Sequence, residues 1–210
     1  ESFAILCREL IQHQVEYDIV DEKSLATARV EGKTLVIGEH SYEVVVIPPM
    51  DTIRLRSLEI IHRFVQQGGS VFAHPLHPKF AADGVEKDAD IKQMMAAIIA
   101  KGPVGGISPE TTPVHYLIRS RVPPLCHLTP SSADVLCTTI SNNGKLAFFL
   151  VNSSPKEYSG TFLMRTSGKP IMMDPATGQE RKVGFRNAPD AGIQIDATIG
   201  PFASTFFFFH

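Results

Sequence analysis

SYEVVVIPPMDTIRLRSLEIIHRFVQQGGSVFAHPLHP, residues 41–78, decides the fold class, because it reads as a strand, a helix and a second strand with a stop signal after each. Val44 to Ile47 is a continuous β-branched run, which suits a strand covered on both faces, and Pro48 and Pro49 end it because neither can donate to a ladder. Ile53, Leu55, Leu58, Ile61, Phe64 and Val65 then recur near helical spacing, with Arg54, Arg56, Glu59, Arg63 and Gln66 on the other faces. That pattern predicts an amphipathic crossover helix, with Asp51 or Thr52 as its N-cap. Gly68 and Gly69 supply the left-handed C-cap, and Val71, Phe72 and Ala73 make the next buried strand. A strand, crossover helix and strand of this kind build parallel α/β architecture.

Upstream, Phe3, Leu6, Cys7, Leu10 and Ile11 lie at helical spacing, so Ser2 to about Gln14 is read as a helix, followed by a short strand around Tyr17 to Val20. A doubly wound sheet normally feeds its first helix from a first strand, so either that strand lies upstream of Glu1 or the protein manages without it, and the chain reads as a piece cut from something longer. Ala28 to Gly38 reads as a β-hairpin turning at Glu31-Gly32-Lys33. Downstream, Asp88 to Lys101 is a helix with Ile91, Met94, Met95, Ile98 and Ile99 inward, ended by Gly102 and Pro103. Val114 to Ile118 fits either a helix or a strand.

Beyond Pro123-Pro124 helical periodicity disappears. Short apolar runs recur instead: Asp134 to Ile140, Leu146 to Val151, Gly160 to Met164, Pro170 to Met173, Ile193 to Ile195 and Thr205 to Phe209. Asn142-Asn143-Gly144 is a hairpin signal, and Asp174-Pro175-Ala176-Thr177-Gly178 is a turn after the fourth run. The closing FASTFFFF alternates poorly, which predicts a strand buried on both faces or covered by a neighbour. The expected fold is therefore α/β followed by all-β: a partial Rossmann-like, three-layer domain over 1–123 and a smaller antiparallel β-sandwich over 124–210.

The 210 residues are 43% hydrophobic and 20% charged, with a mean hydropathy of +0.03. Those are the values of a globular protein long enough to bury roughly 70% of its unfolded surface. A net charge of -2 with no basic cluster argues against nucleic acid, and no apolar run reaches the roughly 20 residues of a membrane span. Cys7, Cys126 and Cys137 are too few for a disulfide framework or a zinc site. Cys126 and Cys137 could bridge; the reading taken is buried free thiols.

No segment carries a complete catalytic signature. His74 and His77 follow a parallel strand, where open α/β sheets bind ligands, but no third ligand stands at metal spacing and the flanking prolines account for a rigid loop. Lys101-Gly102-Pro103-Val104-Gly105-Gly106 lacks the Gly-Lys-Ser/Thr ending of a phosphate loop and reads as a hinge. Asp18, Asp21 and Glu22 could present paired carboxylates, as glycoside hydrolysis requires, although capping and solvation are the reading favoured. Asn152-Ser153-Ser154 matches a glycosylation acceptor, a match that is common by chance. Where a nucleophile elbow would sit, the chain has Ile47-Pro48-Pro49-Met50. No catalytic, cofactor-binding or metal-ligating residue is assigned.

The order YDIVDE (17–22), VEGKTLVIG (30–38), SYEVVVIPP (41–49), a helix, and FVQQGGSVFAHP (64–75) resembles the class I glutamine-amidotransferase-like domain appended to several glycoside hydrolases. Its nearest look is to the carboxyl-terminal region of glycoside hydrolase family 106, the α-L-rhamnosidases. GKLAFFLVNSS (144–154), the Asp-Pro-x-Thr-Gly turn in IMMDPATGQ (171–179) and IGPFASTFFFF (199–209) are similar to segments of such sandwich domains. The resemblance implies a parent enzyme that removes rhamnose from plant or microbial glycans, exported to the periplasm or secreted, with its carboxylates on a (β/α)8 barrel outside this chain. Amidotransferases carry a Cys nucleophile where this sequence has none, and a His-Arg pair frequent in relatives is replaced by Cys137-Thr138-Thr139-Ile140.

Three functions follow as expectations. The first is a non-catalytic accessory region partnered by the catalytic barrel, without a cofactor. The second is a carbohydrate-binding module, which the absence of Trp, only four Tyr, and Phe residues placed mostly in core strands disfavour. The third is an independent hydrolase or amidotransferase, for which no nucleophile and base can be named.

Overall fold

The structure, a computed structural model, describes residues 2–101, 113–189 and 192–210. The chain divides into two compact units, one comprising 1–6 with 18–123 and the other 7–17 with 124–210.

The chain opens with helix α1 (Ser2–Gln12) and a short α2 (Glu22–Ala26). Tyr17 to Val20 forms no strand between them: among the described residues no strand ladders with it, and Ile19 is 69% exposed. A strand needs a neighbour's ladder, which local apolar composition cannot supply. β1 (Arg29–Glu31) and β2 (Thr34–Ile37) make the expected antiparallel hairpin, with Gly32 at φ 61 in its turn. β3 (His40–Tyr42) extends it to a three-stranded meander.

β4 (Val44–Ile47) runs into a two-residue strand β5 (Thr52–Ile53) before α3 (Leu55–Gln66) begins. α3 crosses to β6 (Ser70–Ala73), which pairs in parallel with β4, Val44 opposite Ser70 and Ile47 opposite Ala73. β7 (Phe80–Ala81) pairs in parallel with β5. Among the described residues each parallel sheet therefore has two strands.

The start of α3 differs from the sequence expectation. Neither Asp51 nor Thr52 is its N-cap; Arg54 takes that position, and its side chain makes no capping bond. The free amides are met from a distance instead, Arg54 N–H donating to Glu22 Oε1 at 2.7 Å and Leu55 N–H to Asp83 Oδ1 at 3.2 Å. The C-terminus follows expectation: Gly68, at φ 93, donates to the Val65 carbonyl and Gly69 to the Phe64 carbonyl, the paired bonds of a Schellman motif.

A 3₁₀ turn (Val85–Lys87) leads into α4 (Asp88–Lys101), which buries Ile91, Met95 and Ile98. The expected terminators Gly102 and Pro103, and the loop with Gly105 and Gly106, lie outside the described residues. α5 (Val114–Arg119) resolves the remaining ambiguity in favour of helix. Leu58, Phe64, Ile91 and Met95 are at most 1% exposed and lie in one core with Ile47 and Val71.

The second unit contains β8 (Cys126–Thr129), β9 (Val135–Asn142), β10 (Lys145–Asn152), β11 (Tyr158–Met164), β12 (Pro170–Met173), β13 (Glu180–Lys182), β14 (Arg186–Ala188), β15 (Gly192–Ile199) and β16 (Ser204–Phe209). They form two antiparallel sheets, β13-β12-β16-β10-β9 and β14-β15-β11-β8. The fold is thus α/β followed by an all-β sandwich.

The hairpin at Asn142-Asn143-Gly144 forms as expected, with Asn143 at φ 50 and Gly144 at φ 74. Such positive values suit a two-residue turn whose twist matches the strands. Between the sheets Phe148, Phe162, Phe207, Leu128 and Ile195 are at most 1% exposed. Each such side chain contributes about 1.5–3 kcal/mol of transfer free energy. β16 alternates after all: Thr205, Phe207 and Phe209 are buried, while Phe206 and Phe208 on its other face are only half-buried.

Candidate functional site

The acidic cluster is built into the scaffold. Asp21 accepts from Ser24 N–H at 2.7 Å and caps α2, and that bond holds its carboxyl below the usual range. Glu22 holds the start of α3 and lies 3.5 Å from Arg54 Nε. Asp18 Oδ2 accepts from the Tyr42 hydroxyl at 2.7 Å; burial first, and this carboxylate second, push Tyr42 up to about 12. The three acids are therefore engaged by three different partners, Asp21 and Glu22 at helix starts and Asp18 at the Tyr42 hydroxyl.

His74 Nδ1 accepts from Leu76 N–H at 3.0 Å, folding the loop onto itself, and burial lowers its pKa. Among the described residues no three His, Cys, Asp or Glu side chains converge on a metal position. Cys126 and Cys137 are buried free thiols. Hydrogen bonding to the neighbouring Cys126, and then burial, push the Cys137 thiol up, so it stays protonated and is a poor nucleophile.

Asn152 is 1% exposed. Its amide donates to the carbonyls of Lys156, Ile199 and Gly200 at 2.7, 3.2 and 3.0 Å, and its Oδ1 accepts from Ser154 N–H. The sequence matches a glycosylation acceptor, yet the nitrogen a glycan would need is buried and bonded on both hydrogens. Asn152 instead ties the end of β10 to the end of β15.

A cleft of about 320 Å³ opens on the sandwich, with Met172 and Ile199 as apolar lining and Gln179, Glu180, Arg181, Thr198 and Ser204 as polar lining. Asp174 also lines it, but Ala176 N–H and Thr177 Oγ1 occupy its two oxygens and hold its pKa down. An anchored carboxylate of that kind is not a proton donor near neutral pH. Arg181 Nη2 lies 3.0 Å from Met172 Sδ. Phe202, 71% exposed at φ 50, sits in the β15–β16 turn next to the lining residue Ala203. The Asp174 turn was legible in sequence; that it walls a cleft follows only from the pairing of β12 with β16.

No family model matches the chain, and no curated protein matches it. Solved structures do. The rhamnosidase from Novosphingobium sp. PP1Y superposes on 93% of this chain with a TM-score of 0.73 at 17% identity. The fold is one that occurs inside glycoside hydrolases. Alpha-L-fucosidase isoenzyme 2 from Paenibacillus thiaminolyticus matches 100% of the chain (TM-score 0.57, 9% identity). The beta-galactosidase from Bacillus circulans sp. alkalophilus matches 98% (TM-score 0.52, 12% identity). The chain spans 20%, 45% and 36% of those three chains respectively. At these identities the likeness concerns the fold.

Proposed function

We propose that this chain is a non-catalytic accessory region of a larger glycoside hydrolase of the α-L-rhamnosidase kind, its α/β unit being Rossmann-like and amidotransferase-like and its partner the catalytic barrel of the parent polypeptide. The observation that carries this reading is the pairing of two numbers: the chain matches over 93% of itself, yet accounts for 20% of the rhamnosidase it matches. The acidic candidates support it as well, since Asp21 and Glu22 hold helix starts and Asp18 holds Tyr42. A catalytic pair needs one protonatable carboxyl and a second at about 5–9.5 Å, both free to reach substrate.

Hydrolysis of a nitrophenyl α-L-rhamnoside tests it. The 210 residues alone are expected to be silent and a polypeptide extended through the barrel active. Turnover by the 210 residues would overturn the accessory reading and direct mutation to Asp18, Asp21, Glu22, His74 and His77.

A second reading, glycan binding by the sandwich, is favoured by the exposed Phe202 beside a cleft that offers Glu180 and Arg181. Titration calorimetry with rhamnose-rich glycans decides it: heat that disappears in Arg181→Ala or Phe202→Ala would establish the module, and flat traces would remove it.

A further inference from the structure

The two outward faces of the sandwich are chemically unlike. On the four-stranded sheet the outward face is a polar ladder: Ser159 Oγ lies 2.8 Å from Thr198 Oγ1, Thr161 donates to Asp196 at 2.6 Å, and Arg186 pairs with Asp196 at 3.0 Å. Residues of that kind are satisfied by water.

The five-stranded sheet turns a different surface outward. Strand register places Phe149 opposite Phe206, Phe206 opposite Met173 and Phe208 opposite Ile171, all on the side away from buried Phe148, Phe207 and Met172. The Phe149 and Phe206 rings lie 4.6 Å apart and those of Phe206 and Phe208 5.4 Å apart. Each is only half-buried, and none belongs to either buried core. β9 continues the surface with Leu136 and Ile140, the latter 46% exposed. Charges stand at its margins, Lys145 at one end of β10 and Glu180 and Lys182 on the edge strand β13. An apolar centre with a polar rim is the anatomy of a protein interface.

We infer that this outward face, centred on Phe149, Phe206 and Phe208, is the surface by which the sandwich docks on an adjoining domain of its parent polypeptide. The inference rests on the accessory reading above and names the surface that reading requires. A glycan is a poor occupant, because its hydroxyls need donors and acceptors and the centre of the face offers only Thr138 and Ser204.

A second copy is disfavoured by size. Four strands about 4.8 Å apart and about six residues long at roughly 3.3 Å each span roughly 20 by 20 Å. Counting both partners, that is about 800 Å², short of the roughly 1,000 Å² of a free-standing interface. A tethered domain needs less, since linkage raises its effective concentration to the millimolar range. The solved chains with this fold each extend well beyond it, the match accounting for 20% to 45% of the three described above.

Thiol labelling tests the face. In a Cys7→Ser background, with Cys126 and Cys137 buried, Phe206→Cys and Phe149→Cys are each made in the 210-residue chain and in the polypeptide extended through the barrel; Ser159→Cys reports the polar face. Maleimide labelling at 206 and 149 is expected to be at least tenfold slower in the longer polypeptide, with labelling at 159 unchanged. Equal rates at 206 and 149 in a longer polypeptide that hydrolyses the rhamnoside would overturn the docking face and leave the accessory reading standing. Protection that persists in a longer polypeptide without hydrolase activity would keep the face and remove the function. Protection already present in the 210-residue chain and lost on dilution would assign the face to a second copy and overturn the inference.

Discussion

Asn152 shows how one side chain exchanges an apparent surface role for an internal one. Its amide meets three carbonyls, those of Lys156, Ile199 and Gly200, the last of which also accepts from Ala203 N–H. Leaving a buried polar group unpaired costs roughly 1–3 kcal/mol, so Asn152→Ala is expected to lower unfolding free energy in urea by about 2 kcal/mol. Tyr158 is a second such residue, 8% exposed and donating to the Pro130 carbonyl at 2.6 Å. Burial, and then the neighbouring Cys126, push it up to about 12. An unfolded tyrosine ionises near about 10, so the folded chain retains a proton that the unfolded chain loses. That contribution is fully present below about pH 10 and is lost as pH rises through about 12. Melting temperature followed from pH 9 to 12 should fall less steeply in Tyr158→Phe than in the parent; parallel curves would show that Tyr158 titrates normally. Neither role is written locally in the sequence, because the carbonyls lie up to 48 residues from Asn152 and the Tyr158 acceptor 28 residues away.

Among the elements, β4, α3 and β6 were legible because their signals are local: a β-branched run, helical periodicity and a pair of glycines. The start of α3 was not. Asp51 and Thr52 satisfy the composition rule for an N-cap, but they lie before the first helical turn, in β5 and the residue preceding it, and Glu22 arrives from 32 residues away. Glu22→Ala is therefore expected to cost about 1 kcal/mol, the usual value of a lost cap, while Asp51→Ala stays within about 0.5 kcal/mol. Urea titration of both variants checks this, and the reverse order would return the cap to Asp51. Gly69 is required for a different reason: a Cβ there would lie 2.2 Å from the buried Phe64 ring. β8, β13 and β14 escaped the sequence reading. The first is four residues between prolines, and Glu180–Lys182 and Arg186–Ala188 have no apolar alternation because they sit at sheet edges.

At the scale of the molecule the described residues form two separate buried cores, one around Leu58, Phe64 and Met95 and one around Phe148, Phe162 and Phe207. If the units unfold separately, calorimetry shows two transitions. Phe64→Ala then lowers one and Phe148→Ala the other, each by about 3–5 kcal/mol of cavity and transfer cost. One transition shifted by both variants would show a single cooperative structure. The sequence by itself determined the class and order of the elements, α/β and then antiparallel β. Apolar period, β-branching and turn residues act within a few positions of one another, so they can be read without knowing what lies opposite. Tertiary structure alone decided what the polar and aromatic residues do with those elements. Whether Asn152 is an acceptor or a tie, whether Glu22 is catalytic or a cap, and whether Phe206 faces a core or the outside depend on partners brought near by the fold, and that proximity is set by long-range packing.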